Sequence, residues 1–143
     1  MTRLRTAVVG AGYLGRFHAQ KYAAHPDCEL IGVVDVDLAR AKSIAEELDC
    51  LAFDSVDAIR SQVDAVSVAA PTRLHHELGQ SLLEAGLHVL IEKPMTVTVA
   101  EAESLITAAD KHDCILQVGH LERFNPAVVA AAALIDNPLF IES

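Results

Sequence analysis

The chain has 143 residues, 52% of them hydrophobic and 22% charged, which suits one domain with a substantial core and is too apolar for a disordered chain. A net charge of −9 argues against nucleic acid, whose phosphates demand a basic face. No apolar run is long enough to span a bilayer, and the opening MTRLRTAVVG holds too short an apolar stretch for a signal peptide.

The first element is a β-branched strand over Leu4–Val9 that stops at a glycine. Gly10, Gly12 and Gly15 then form G-x-G-x-x-G directly ahead of a helical pattern. In that setting Gly10 makes a tight turn, Gly12 lets the backbone approach a pyrophosphate, and Gly15 lets helix and strand pack closely. Free N–H groups and the positive end of the helix dipole suit a phosphate there. A second strand, Leu30–Val34, ends at Asp35, twenty residues after Gly15. An acid at that point accepts hydrogen bonds from ribose hydroxyls and repels a 2′-phosphate, which favours NAD. In purely structural terms Asp35 would cap the following helix, a task open equally to Asp37. S-adenosylmethionine sites also use a glycine turn and an acid, with a poorer match to this spacing.

Leu38, Ala41, Ala45 and Leu48 share a helical face, followed by a short strand over Leu51–Phe53 and a short helix over Ser55–Ser61. The strand Ala65–Ala69 leads through Pro71 into a helix carrying Leu74, Leu78 and Leu82 on one side. His75 and His76 open that helix; with no third ligand at a workable spacing they read as a cap or solvated face, and no metal is expected. The strand His88–Ile91 ends in Glu92-Lys93-Pro94. A lysine there is a donor and candidate proton carrier, because partial burial favours its neutral form. The plainer alternative is a solvated lysine paired with Glu92. Thr98-Val99-Ala100-Glu101 forms a capping box before a helix with Val99, Ala102, Leu105, Ile106 and Ala109 on one face. The strand Ile115–Val118 precedes Gly119–Asn125, and the helix Ala127–Ile135 is apolar around most of its circumference, which suits burial against another surface.

Apolar strands alternating with amphipathic helices predict a doubly wound α/β parallel sheet, the Rossmann dinucleotide-binding fold. Ligands bind such sheets beyond the carboxyl ends of the strands, where Gly10–Gly15, Asp35, Pro71–His75, Glu92–Pro94 and Gly119–Asn125 all fall. There is no G-x-S-x-G elbow for nucleophilic catalysis. Cys28, Cys50 and Cys114 fit neither zinc nor redox spacing and read as buried apolar fillers in a reducing cytoplasm.

Together VVGAGYLGRFHA, Asp35, APTRLHHE, VLIEKPMT and QVGHLERFNPAV resemble the N-terminal NAD-binding domain of the Gfo/Idh/MocA oxidoreductases, most closely the branch containing UDP-N-acetylglucosamine 3-dehydrogenases. The resemblance implies an NAD-dependent dehydrogenase acting on a sugar or nucleotide-sugar hydroxyl, with Lys93 as the catalytic residue beside nicotinamide and substrate. It implies cofactor contacts at Gly10, Gly12, Tyr13, Leu14, Gly15, Asp35, Ala70, Pro71, Thr72, His75, Glu92 and Lys93. Ala70 and Thr72 stand where the family's T-P-N-x-x-H stretch has Thr and Asn. His120, Arg123 and Asn125 would lie near the nicotinamide or the sugar; their plain structural reading is a capped turn before the next helix. Family members are more than twice this length, so residues 1–125 read as the dinucleotide-binding domain. Residues 126–143 read as a connecting helix and the first strand of a missing substrate domain, with association of like chains expected. The rival reading is a non-catalytic module sensing NAD and NADH, which would need no lysine beside the nicotinamide.

Overall fold

The computed structural model describes residues 2–132 and 134. In chain order the strands are β1 (Leu4–Val9), β2 (Cys28–Val34), β3 (Leu51–Phe53), β4 (Ala65–Val68), β5 (His88–Ile91) and β6 (Leu116–Val118). The helices are α1 (Tyr13–Ala24), α2 (Leu38–Leu48), α3 (His75–Glu84), α4 (Val99–Lys111) and α5 (Pro126–Ala132). The strands form one sheet in the order β3-β2-β1-β4-β5-β6, and every neighbouring pair is parallel. This is the doubly wound Rossmann sheet that the alternation predicts.

Side-chain alternation along the strands divides the core into two layers. Ala7, Val9, Val66, Val68, Val89 and Ile91 face Leu82 and Leu83 of α3 and Leu105 and Ala108 of α4. Val8 and Val33 face the other side, against Ala19 of α1 and Ala41 and Ile44 of α2. Leu82, Leu83 and Leu105 are fully buried, and each contributes about 2 kcal/mol by leaving water. Ser67, paired in register with Val8, falls on the α1 side, and it is a hydroxyl in a run of valines.

Several boundaries differ from the sequence expectations. Strand β2 begins at Cys28, because Cys28 and Glu29 pair with Leu4 and Arg5 although Glu29 is exposed and polar. The helix expected over Ser55–Ser61 is a single 3₁₀ turn, Val56–Ala58, in which Ser55 accepts the Asp57 N–H. Leu74 ends a 3₁₀ turn, Thr72–Leu74, rather than sitting in α3. Only Cys28 among the free thiols is buried, with Cys50 and Cys114 at intermediate exposure. Of the helix expected over Ala127–Ile135, the segment through Ala132 is helical and exposed; Ile135 and the strand expected near Leu139–Ile141 lie outside the described residues.

Candidate functional site

Strand order reverses between β1 and β4, and there a cleft of about 600 Å³ opens at the carboxyl ends. Its walls include Gly10, Gly12, Tyr13, Leu14, Asp35, Arg40, Ala70 and Pro71. A larger groove, about 740 Å³, sits at the opposite end of the sheet among Arg5, Asp27, Glu29 and Asp64. There the Arg5 guanidinium hydrogen-bonds Asp64 and holds its carboxyl below the usual range, so charged side chains rather than open N–H groups form the wall.

The glycine turn has three distinct constraints. Gly10 has φ = 104°, and a Cβ there would run into the Ala69 carbonyl. A Cβ on Gly15 would collide with the Gly10 carbonyl, so helix α1 lies directly on the turn. At Gly12 a Cβ would meet nothing within 4 Å. The fold therefore leaves open the space in front of Gly12, at the N-terminus of a 12-residue helix with no side-chain cap and no acid in its first turn. A pyrophosphate fits that cradle by charge and by room.

Asp35 has 9% of its side chain accessible. Its Oδ2 accepts the Ala11 N–H at 2.7 Å, and its Oδ1 accepts the Asp37 N–H at 2.8 Å and Arg40 Nη2 at 3.1 Å. A carboxylate offers about four acceptor positions, so one remains for a ribose hydroxyl. The cap of α2 is Asp37, which accepts from the Ala39 and Arg40 N–H groups. Asp35 is thus released from capping and fastens the glycine turn instead.

Across the switch point, Pro71 and Ala70 line the cleft, Thr72 opens the following 3₁₀ turn, and His75 is buried beneath them at 1% exposure. The His75 ring lies between the Ala70 carbonyl, 2.7 Å from Nε2, and the Pro94 carbonyl, 3.0 Å from Nδ1. It is neither a cap nor a solvated residue; it ties the loop after β4 to the loop after β5. Lys93 is exposed, so the partial burial expected for it is not found in the described residues. Its partner is not Glu92 through the ammonium. Instead the Lys93 backbone N–H donates to Glu92 Oε2 at 3.1 Å, while Glu92 Oε1 lies 3.0 Å from His18 Nε2. The Lys93–Pro94 bond is cis.

His120 precedes a 3₁₀ turn, Leu121–Phe124, that carries Arg123 and ends at Asn125. Asn125 Oδ1 accepts the Ala127 N–H at 3.0 Å, the capped turn anticipated as the plain structural reading. These three residues stand beyond β6, outside the cleft wall. Among the described residues no three His, Cys, Asp or Glu side chains converge as metal ligands would. Sequence reasoning missed His18, Ser67 and Arg40. The signal for Ser67 was present: a lone hydroxyl inside a buried apolar strand requires a partner.

Residues 4–120 match the profile described as an oxidoreductase family with an NAD-binding Rossmann fold, Gfo/Idh/MocA. The chain belongs to this family. It is 48% identical over 128 residues to UDP-N-acetylglucosamine 3-dehydrogenase of Acidithiobacillus ferrooxidans, covering 90% of this chain and 40% of that protein. It is 37% identical over 140 residues to inositol 2-dehydrogenase 1 of Paenarthrobacter aurescens, covering 94% of this chain and 41% of the relative. Among solved structures, GenD2 from gentamicin A biosynthesis in complex with NAD superposes with a TM-score of 0.91 at 31% identity, over 94% of this chain and 39% of that one. The A. ferrooxidans enzyme gives a TM-score of 0.87 at 46% identity, over 94% and 44% of the two chains. The chain thus spans about two-fifths of the length of the curated relatives it matches.

Proposed function

We propose that this member of the family is the cofactor-holding part of a dehydrogenase acting on a sugar or nucleotide sugar, with UDP-N-acetylglucosamine as the leading candidate. The observation that carries the reading is the open cradle before Gly12 joined to Asp35 across one cleft. In a sheet of this order the adenosine half of a dinucleotide lies over β1 and β2, and the nicotinamide half lies over β4 and β5. Asp35 then meets the adenosine ribose, the α1 N-terminus meets the pyrophosphate, and Lys93 stands on the nicotinamide side. NAD held there supplies the hydride acceptor. In this reading Lys93 donates to the substrate hydroxyl and, once it has released its own proton to solvent, takes the hydroxyl proton, with His120, Arg123 and Asn125 expected on the substrate side of it. A module that only senses NAD and NADH needs no proton carrier beside the nicotinamide, so a Lys93 with that role distinguishes the enzyme from the sensor. The similarity to sugar and nucleotide-sugar dehydrogenases supports the substrate class. The three free thiols, and the lack among the described residues of a helix long and apolar enough to cross a membrane, fit a cytoplasmic setting.

Calorimetric titration of the chain with NAD, NADH and NADP tests the cofactor half of this reading. The residual acceptor of Asp35 favours a ribose hydroxyl over a 2′-phosphate, so NAD is expected to bind about tenfold tighter than NADP. Equal or tighter binding of NADP would remove Asp35 from its assigned role.

A further inference from the structure

Three elements meet the carboxylate of Glu92, a fourth backs one of them, and only one of the four is the loop that carries Lys93. Glu92 is 4% exposed. From α1, His18 brings Nε2 to 3.0 Å from Oε1, with the two side chains 12% and 5% accessible. From β4, Ser67 Oγ lies 2.5 Å from His18 Nδ1, and Ser67 is itself fully buried. From the end of β6, Gly119 comes so close that a Cβ there would sit 2.9 Å from Oε1. The other oxygen, Oε2, accepts the backbone N–H of Lys93. Burial pushes up the phenol of Tyr22, one turn along α1.

A serine, a histidine and a carboxylate in line have the composition of a hydrolytic triad. Burial excludes that use, because Ser67 has no surface from which to attack a substrate. Hydrogen-bond accounting gives the arrangement another sense. The Glu92 carboxylate only accepts, so it receives the His18 Nε2–H; Nδ1 is then free to accept the Ser67 O–H. Every polar atom in this line has a partner, which is what a buried network requires to hold one geometry.

We infer that His18, supported by Ser67, is a positioning residue that locks Glu92 and, through Oε2, the backbone of Lys93 at the nicotinamide side of the cleft. The inference rests on the proposed dinucleotide reading and deepens it: the first helix holds the pyrophosphate with its N-terminus and, one turn further on, sets the geometry of the nicotinamide half. Glycine at position 119 fits the same constraint, since a Cβ there would press on the carboxylate and require it to shift.

The test compares NADH, followed by the fluorescence of its reduced ring, with ADP-ribose, which has the adenosine and pyrophosphate but no nicotinamide. His18→Leu is expected to weaken NADH about tenfold, the worth of one hydrogen bond to a charged group, and to leave ADP-ribose unchanged. His18→Gln places an amide N–H where Nε2 stood and should restore most of the NADH affinity. Gly119→Ala should reproduce the NADH loss without touching His18, and it decides the matter alone if His18→Leu fails to fold. Parallel loss of both ligands in the variants would mean a role in the fold only, and unchanged NADH binding in both would mean that Glu92 needs no clamp; either result overturns the inference. Binding of ADP-ribose but not NADH by the parent chain would remove the inference and leave the adenosine half of the cofactor reading standing. Binding of neither would remove both.

Discussion

An added Cβ at Gly12 meets no atom within 4 Å, whereas one at Gly10 or Gly15 meets backbone. Gly12→Val is therefore expected to abolish NAD binding by filling the pyrophosphate space while the melting temperature stays within a few degrees of the parent. Calorimetry with a thermal melt reads both quantities; retained binding would show that the ligand does not lie at this turn. The glycines and Asp35 were legible because their chemistry depends on spacing along a strand, a turn and a helix that adjoin in sequence. The additional duty of Asp35, accepting the Ala11 N–H from 24 residues away, was not legible. Neither was the line of His18, Ser67 and Glu92, whose members are separated by 49 and 74 residues. A contact of that kind is created by the order of strands in the sheet, and no local pattern announces it.

Helix α4 shows the opposite case, an element whose start is written in four consecutive residues. Thr98 Oγ1 accepts the Glu101 N–H, and Glu101 accepts the N–H groups of Thr98 and Val97 at 3.0 Å each. Thr98→Ala should cost about 1 kcal/mol of stability in a denaturant titration. The backbone N–H of Thr98, with that of Val97, holds the Glu101 carboxyl below the ordinary glutamate value. A folded-state value that is depressed stabilises above the unfolded value and is lost as pH falls through the folded one. The difference in melting temperature between parent and Glu101→Gln should accordingly be largest near neutrality and shrink below about pH 4. A constant difference across that range would assign the effect to shape rather than charge. The start of β2 was harder to read, because its opening pair Cys28 and Glu29 joins the ladder through backbone bonds that ask nothing of side-chain polarity.

At the scale of the whole molecule, the doubly wound sheet followed from apolar strand runs alternating with amphipathic helices, since only a parallel sheet covered on both faces buries such strands. The carboxyl-terminal end is less self-contained. Leu121, Phe124, Val128 and Val129 are all exposed beyond β6. Burying about 400 Å² of such surface is worth roughly 10 kcal/mol before association entropy is subtracted. The chain is therefore expected to self-associate in sedimentation velocity, and a version ending at Asn125 is expected to do so less. Two monomeric profiles would mean that residues 126–143 find their cover within the same chain.

The seam between β1 and β4 has a kinetic consequence. Thr6 to Val9 pair with Ala65 to Val68, and the ion pair beside the seam joins Arg5 to Asp64 across 59 residues. Every other strand pairing unites successive segments. Loop-closure entropy makes so distant a pairing late and slow relative to its neighbours. The β1–β2–β3 flank and the β4–β5–β6 flank can each form before the two meet. The glycine turn belongs to the first flank and Ala70 and Pro71 to the second, so the cleft exists only after the seam has closed. The capacity to hold a dinucleotide is therefore expected only after the two flanks have met, and a refolding chain monitored by NADH fluorescence should regain its ligand only after its helices have formed.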